Sequence, residues 1–225
     1  MRTITNSREI TMNETCGFGG TEIILDKARI LKALDCDPSR PIYQEMSELF
    51  EGFKEEVIGA IKPKVVFKIS DVTPVSRQRE EFTDAQIVIH STATLGEGIS
   101  KLIASRYAED EYLEAMLIDA MGTNILFNIN DAFYGFIYEY AEEKALGVKI
   151  FSPGERHFPM SYQKDVEEIL GEANEVRVTE GYLLEPIKSG SVIYALKEGI
   201  TRPRRAHDCK VCGDVTCKWR RCDES

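Results

Sequence analysis

A chain of 225 residues, 43% hydrophobic and 29% charged, carries enough apolar material for one sizeable domain or two small ones. Its mean hydropathy of -0.26 and the lack of any apolar run long enough to span a bilayer exclude a membrane helix. A formal net charge of -10 speaks against nonspecific nucleic-acid binding, and the opening "MRTITNSREI" has no apolar leader core, so the expected compartment is the cytoplasm.

In chain order, Ile4 and Ile10 suggest an extended arm, and "CGFGG" (Cys16 to Gly20) reads as a turn. Thr21 and Glu22 precede "IILDKARILKAL", which predicts a helix to Leu34. "DCDPSRP" breaks it. Tyr43, Met46, Leu49, Phe50, Phe53, Val57, Ile58 and Ile61 then recur at helical spacing, with Pro41 near the first turn. "KVVFKI" and "AQIVIHS" read as strands on either side of a loop. A third helix follows "TLGEG", and a long helical stretch runs from Asp110 to about Lys144, with Asn124, Asn128 and Asp131 along one side.

"GVKIF" reads as a strand and leads into "FSPGERHFP" (Phe151 to Pro159), a spelling that neither helix nor strand tolerates. Ser161 is placed to cap a short helix, "YQKDVEEIL". The closing "EVRVTE", "YLLEP" and "SGSVIYAL" are short and β-rich. Helices early and in the middle, with strands clustered late, predict an α+β fold.

Few spellings carry chemistry. There is no G-x-S-x-G, H-E-x-x-H or phosphate loop; "GFGG" and "LGEG" are too short for a nucleotide fingerprint, and His90 reads as a packed strand residue, so no catalytic residue is assigned. The tail, 206–225, places Cys209, Cys212, Cys217 and Cys222 at C-x2-C-x4-C-x4-C, a spacing that suits one Zn ion or an iron-sulfur cluster, with free thiols on a loose end as the other reading. Cys16 and Cys36 read as buried small hydrophobes. From Thr201 onward seven Lys and Arg oppose four acids, a basic tail suited to docking on the acidic body or on an acidic partner. The loop offers Glu155, Arg156 and His157, and the late strands offer Thr179, Glu180 and Tyr194, groups that suit a zwitterion such as an amino acid.

Together these two stretches resemble the reactivation domain of cobalamin-dependent methionine synthase, which binds S-adenosylmethionine (SAM). That family carries R-P-A-P-G-Y-P, a short helix, L-T-E-S, a Pro, S-V-S-G and then a ligand-facing tyrosine. Pro153 and Gly154 match the loop, Thr179 and Glu180 the T-E, Pro186, Ser189 and Ser191 the Pro and serines, and Tyr194 the tyrosine. "ATLG" (Ala93 to Gly96) is similar to the segment before the family's central helices, and stand-alone relatives share S-P-G after the strand and a Cys-rich end. Two positions depart: Ile150 stands where the family has arginine and Glu155 where it has an aromatic, with Arg156 as a substitute cation.

The resemblance implies a twisted, C-shaped antiparallel sheet with packed helices over 1–205. It implies a SAM site at Ser152, Pro153, Gly154, Glu155, Arg156, Thr179, Glu180 and Tyr194. The implied role is a stand-alone reactivation module, in effect a subunit of a corrinoid-dependent methyltransferase such as methionine synthase. It would support SAM-dependent reductive methylation of Co(II) cobalamin on the partner, with an electron from flavodoxin or ferredoxin. The alternative is a corrinoid-associated metal or redox accessory that does not use SAM.

Overall fold

The structure, a computed structural model, describes residues 3–4, 12, 14–71, 80–155, 158–203, 205, 207, 209 and 214–220. Among the described residues eight strands and five α-helices follow in chain order: β1 (Thr3–Ile4), β2 (Thr15–Phe18), α1 (Lys27–Ala33), α2 (Tyr43–Ala60), β3 (Lys64–Asp71), β4 (Ile87–Thr94), α3 (Glu97–Ala108), α4 (Tyr112–Glu143), β5 (Gly147–Phe151), α5 (Tyr162–Leu170), β6 (Arg177–Val178), β7 (Leu184–Glu185) and β8 (Ser189–Lys197).

The main sheet runs β1-β2-β3-β4-β8-β5, and all its pairs are antiparallel except β1 with β2. This is the α+β class, antiparallel sheet with packed helices, that the sequence led us to expect. β4 is central, and all eight of its residues are buried because both faces are covered. On one face Val65, Phe67, Ile69, Ile87, Ile89, Tyr194 and Leu196 pack against α1, α2, α3 and α4. On the other, Val66, Val88, Ile193 and Ala195 pack against Tyr162, Val166 and Leu170 of α5. The side chains of a strand alternate faces, so one stretch supplies both cores.

α4 is a 32-residue helix through the larger core. Its polar stripe faces the extended chain before α1: Asn128 Nδ2 donates to the Ile24 carbonyl at 2.7 Å, and the Asp26 N–H donates to Asn124 Oδ1 at 3.1 Å. These bonds correct the expected start of the first helix. Thr21 to Asp26 lie outside any helix, and α1 begins at Lys27, where the Asp26 side chain accepts from the Arg29 N–H. "CGFGG" is corrected likewise: Thr15–Phe18 is not a turn but a strand, held by register with β3 (Cys16 opposite Phe67) that no local pattern records. Ser161 occupies the cap position of α5 without a side-chain bond to the helix.

Candidate functional site

β5 pairs with β8 only from Gly147 opposite Lys197 to Phe151 opposite Ile193. β8 continues four residues beyond, to Ser189, paired there only with β4 among the described residues. Where β5 stops, the chain turns away into the Pro-Gly loop and leaves one edge of Ser189–Val192 without a strand. A cleft of about 1090 Å³ opens at that edge.

Four parts of the chain wall the cleft. The loop gives Ser152, Pro153, Gly154 and Glu155; β8 and the segment before it give Tyr182, Leu183, Leu184, Ile187 and Ser189 to Val192; α4 gives Leu126, Phe127, Asn130 and Asp131; the C-terminal segment gives His207, Cys209, Asp214, Cys217 and Trp219. Arg29, Met160 and Gln163 complete it. Met160, Tyr182, Leu183 and Ile187 are exposed although apolar, so the cleft mouth is a greasy rim.

Main-chain hydrogen bonds tie the described part of the loop together. Gly154 N–H donates to the Phe158 carbonyl, Glu155 N–H to the Ser152 carbonyl, and Phe158 N–H to the Glu155 carbonyl, each at 3.0 Å. The Phe158 ring plugs into the smaller core against Phe82, Phe151 and Tyr162. Gly154 has φ +86°, a left-handed conformation that strains any side chain, so the turn favours glycine. Arg156 and His157 lie outside the described residues.

The expected site residues divide. Ser152, Pro153, Gly154 and Glu155 line the cleft together. Thr179 and Glu180 do not: Thr179 Oγ1 accepts from the Leu183 N–H at 3.0 Å and ties the β6–β7 turn, while Glu180 stands exposed at its tip. Tyr194 is corrected from a ligand-facing residue to a core residue. It is 0% exposed, stacks on Tyr134 with centroids 5.9 Å apart, meets Phe133 edge-on, and points at α4. Burial pushes its phenol far above the usual tyrosine range.

Cys209 and Cys217 share the cleft wall, whereas Cys212 and Cys222 lie outside the described residues. Among the described residues no three His, Cys, Asp or Glu side chains are grouped to hold a metal ion.

Other cleft residues gave no local signal. Gln163 is buried at 7% exposure, and its Oε1 has no hydrogen-bond partner, an orphan that is costly in the interior. Arg29 is brought from α1 by tertiary packing. His207 Nδ1 lies 3.7 Å from Glu155 Oε1 and pairs with it when protonated, so the C-terminal segment reaches the loop.

No family model matches the sequence, and no curated protein matches it. Among solved structures the chain is similar to one described as the crystal structure of the MetH reactivation domain bound to AdoHcy, at 12% identity and a TM-score of 0.58, over 82% of this chain and 78% of that one. The fold is that of the MetH reactivation domain. Within this reactivation-domain fold the cleft combines a fixed glycine turn, an open strand edge, apolar walls and a buried amide that lacks a partner. That combination suits a small molecule with a flat apolar body and a polar end. Among the described residues no helix is long and apolar enough to cross a membrane.

Proposed function

We propose that the cleft binds SAM and that the chain is a stand-alone reactivation module for a corrinoid-dependent methyltransferase, with methionine synthase as the partner. One observation carries the reading. In a chain with the reactivation-domain fold, Ser152–Glu155 and the open edge of Ser189–Val192 meet in one cleft, and the similar solved structure is of a domain bound to AdoHcy.

Bound there, SAM would supply a methyl group for the partner's cobalamin, with the electron delivered by flavodoxin or ferredoxin. The chain's own residues bind and orient. Ser152 to Glu155 wall one side of the ligand, Leu126, Phe127 and Val192 exclude water from an apolar body, and Gln163 offers its amide. The proposed site omits Thr179 and Glu180, which sit in the β6–β7 turn, and Tyr194, which is buried in the larger core. Calorimetry with SAM and AdoHcy tests the reading: dissociation constants in about the micromolar range are expected. An absence of heat at millimolar ligand would overturn it.

The second reading, a metal or redox accessory, is favoured by one fact: Cys209 and Cys217 stand in the same cleft wall. It takes precedence if SAM and AdoHcy fail to bind while the anaerobic protein carries metal.

A further inference from the structure

Five of the residues that line the cleft, His207, Cys209, Asp214, Cys217 and Trp219, belong to the C-terminal segment. Lys218 pairs with Asp35, and His207 with Glu155 when protonated, but these side chains are largely exposed and such surface pairs contribute little. Trp219 is the anchor. It is the single tryptophan of the chain and, among the described residues of the segment, the hydrophobic side chain that packs on the larger core. A short turn carries it: Arg220 N–H donates to the Cys217 carbonyl at 3.0 Å, and Arg220 Nη1 to the Asp214 carbonyl at 2.9 Å. The Trp219 carbonyl in turn accepts from Arg29 Nη2 at 3.2 Å, which ties the segment to α1. The Phe127 ring of α4 meets the indole with centroids 5.5 Å apart at an interplanar angle of 76°. Both rings are only half-buried, and both line the cleft. Two rings held nearly at right angles present a face and an edge, the two arrangements in which aromatic quadrupoles attract a further flat ring.

We propose that Trp219 is a ligand-binding residue: the adenine of the bound nucleoside lies against the Trp219–Phe127 wall, which makes the C-terminal segment part of the site. The inference rests on the reading of the cleft as a SAM site and names the contact to the base. A purine has a π face whatever hydrogen bonds its edge makes, so it gains by stacking on an aromatic ring. Leu126 and Val192 exclude water but offer no such face, and Tyr182 stands at the mouth with 39% of its surface exposed. A base at Trp219 touches α4 and the C-terminal segment together. Ligand and segment then stabilise each other: loosening the segment weakens binding, and the bound ligand holds the segment down.

With one tryptophan in the chain, indole fluorescence reports on this side chain alone. Titrating the full-length protein with AdoHcy should quench or shift that emission in step with the calorimetric heat. The second ligand is 5′-methylthioadenosine, which shares the nucleoside and lacks the amino-acid end. Trp219→Leu keeps apolar bulk and removes the ring; it should weaken both ligands alike by about tenfold or more, the worth of stacking one base, while Trp219→Phe should keep part of the affinity. Thermal melts establish that each variant is folded. Wild-type binding with unchanged emission overturns the proposal, as does Trp219→Leu affinity within about twofold of wild type, and in either case the SAM cleft stands. A loss confined to AdoHcy places Trp219 at the amino-acid end and overturns the contact to the base. If the wild-type protein binds neither ligand, both readings fall.

Discussion

His90 sits in the middle of β4 with 3% of its surface exposed, its Nε2 2.8 Å from the Tyr162 hydroxyl and its Nδ1 without a hydrogen-bond partner. Burial, with Lys68 nearby, lowers its pKa to about 4. The unfolded chain therefore takes up this proton first as pH falls. The stabilisation is complete above the unfolded value near pH 6.5 and is lost progressively down to about pH 4, a change of about 3 kcal/mol. Urea denaturation at both ends of that window should show the loss. His90→Phe should remove this portion of it, leaving the carboxylate contributions. An identical pH slope in wild type and variant would show that His90 is not the titrating group.

At the scale of elements, two glycines make opposite predictions. Gly98 lies in the first turn of α3, where an added Cβ would stand 2.1 Å from the Ala60 carbonyl oxygen at the end of α2. Gly98→Ala must force the two helices apart and should cost about 1–3 kcal/mol. Gly135, on the exposed side of α4, has nothing within 4 Å of that position. Gly135→Ala should stabilise by about 0.5–1 kcal/mol. Thermal melts of both variants check the signs; a neutral Gly98→Ala would mean that the α2–α3 contact is looser than described. Helices and strands of this kind were legible because α2, α4, β3 and β8 carry regular apolar spacing. Thr15–Phe18 was not, since its identity as a strand comes from pairing with β3 some fifty residues on. The Pro-Gly loop announced itself locally. Tyr194 misled because spacing along β8 does not say which side of the sheet is the open one. Arg29, Phe127 and Gln163 come from helices whose own patterns encode only packing.

Across the whole molecule, the C-terminal segment closes one side of the cleft: Trp219 packs on the larger core, Lys218 pairs with Asp35, and His207 approaches Glu155. We expect Cys209, Cys212, Cys217 and Cys222 to hold one metal ion or cluster that organises this segment. Metal analysis of protein purified without oxygen decides. One equivalent of zinc in a colourless protein marks a structural staple, whereas iron with absorbance at roughly 400 nm marks a redox centre beside the ligand. No metal, together with an inert Cys212→Ser, would make the four cysteines incidental. A last consequence follows from the early end of β5. Where a strand stops short, what it leaves behind is main chain, and main-chain donors and acceptors are the same whatever side chains a lineage substitutes. Recognition built on such a ledge survives drift that erases motifs. Substitutions at Ile150 or Glu155 change side chains and leave such a ledge in place.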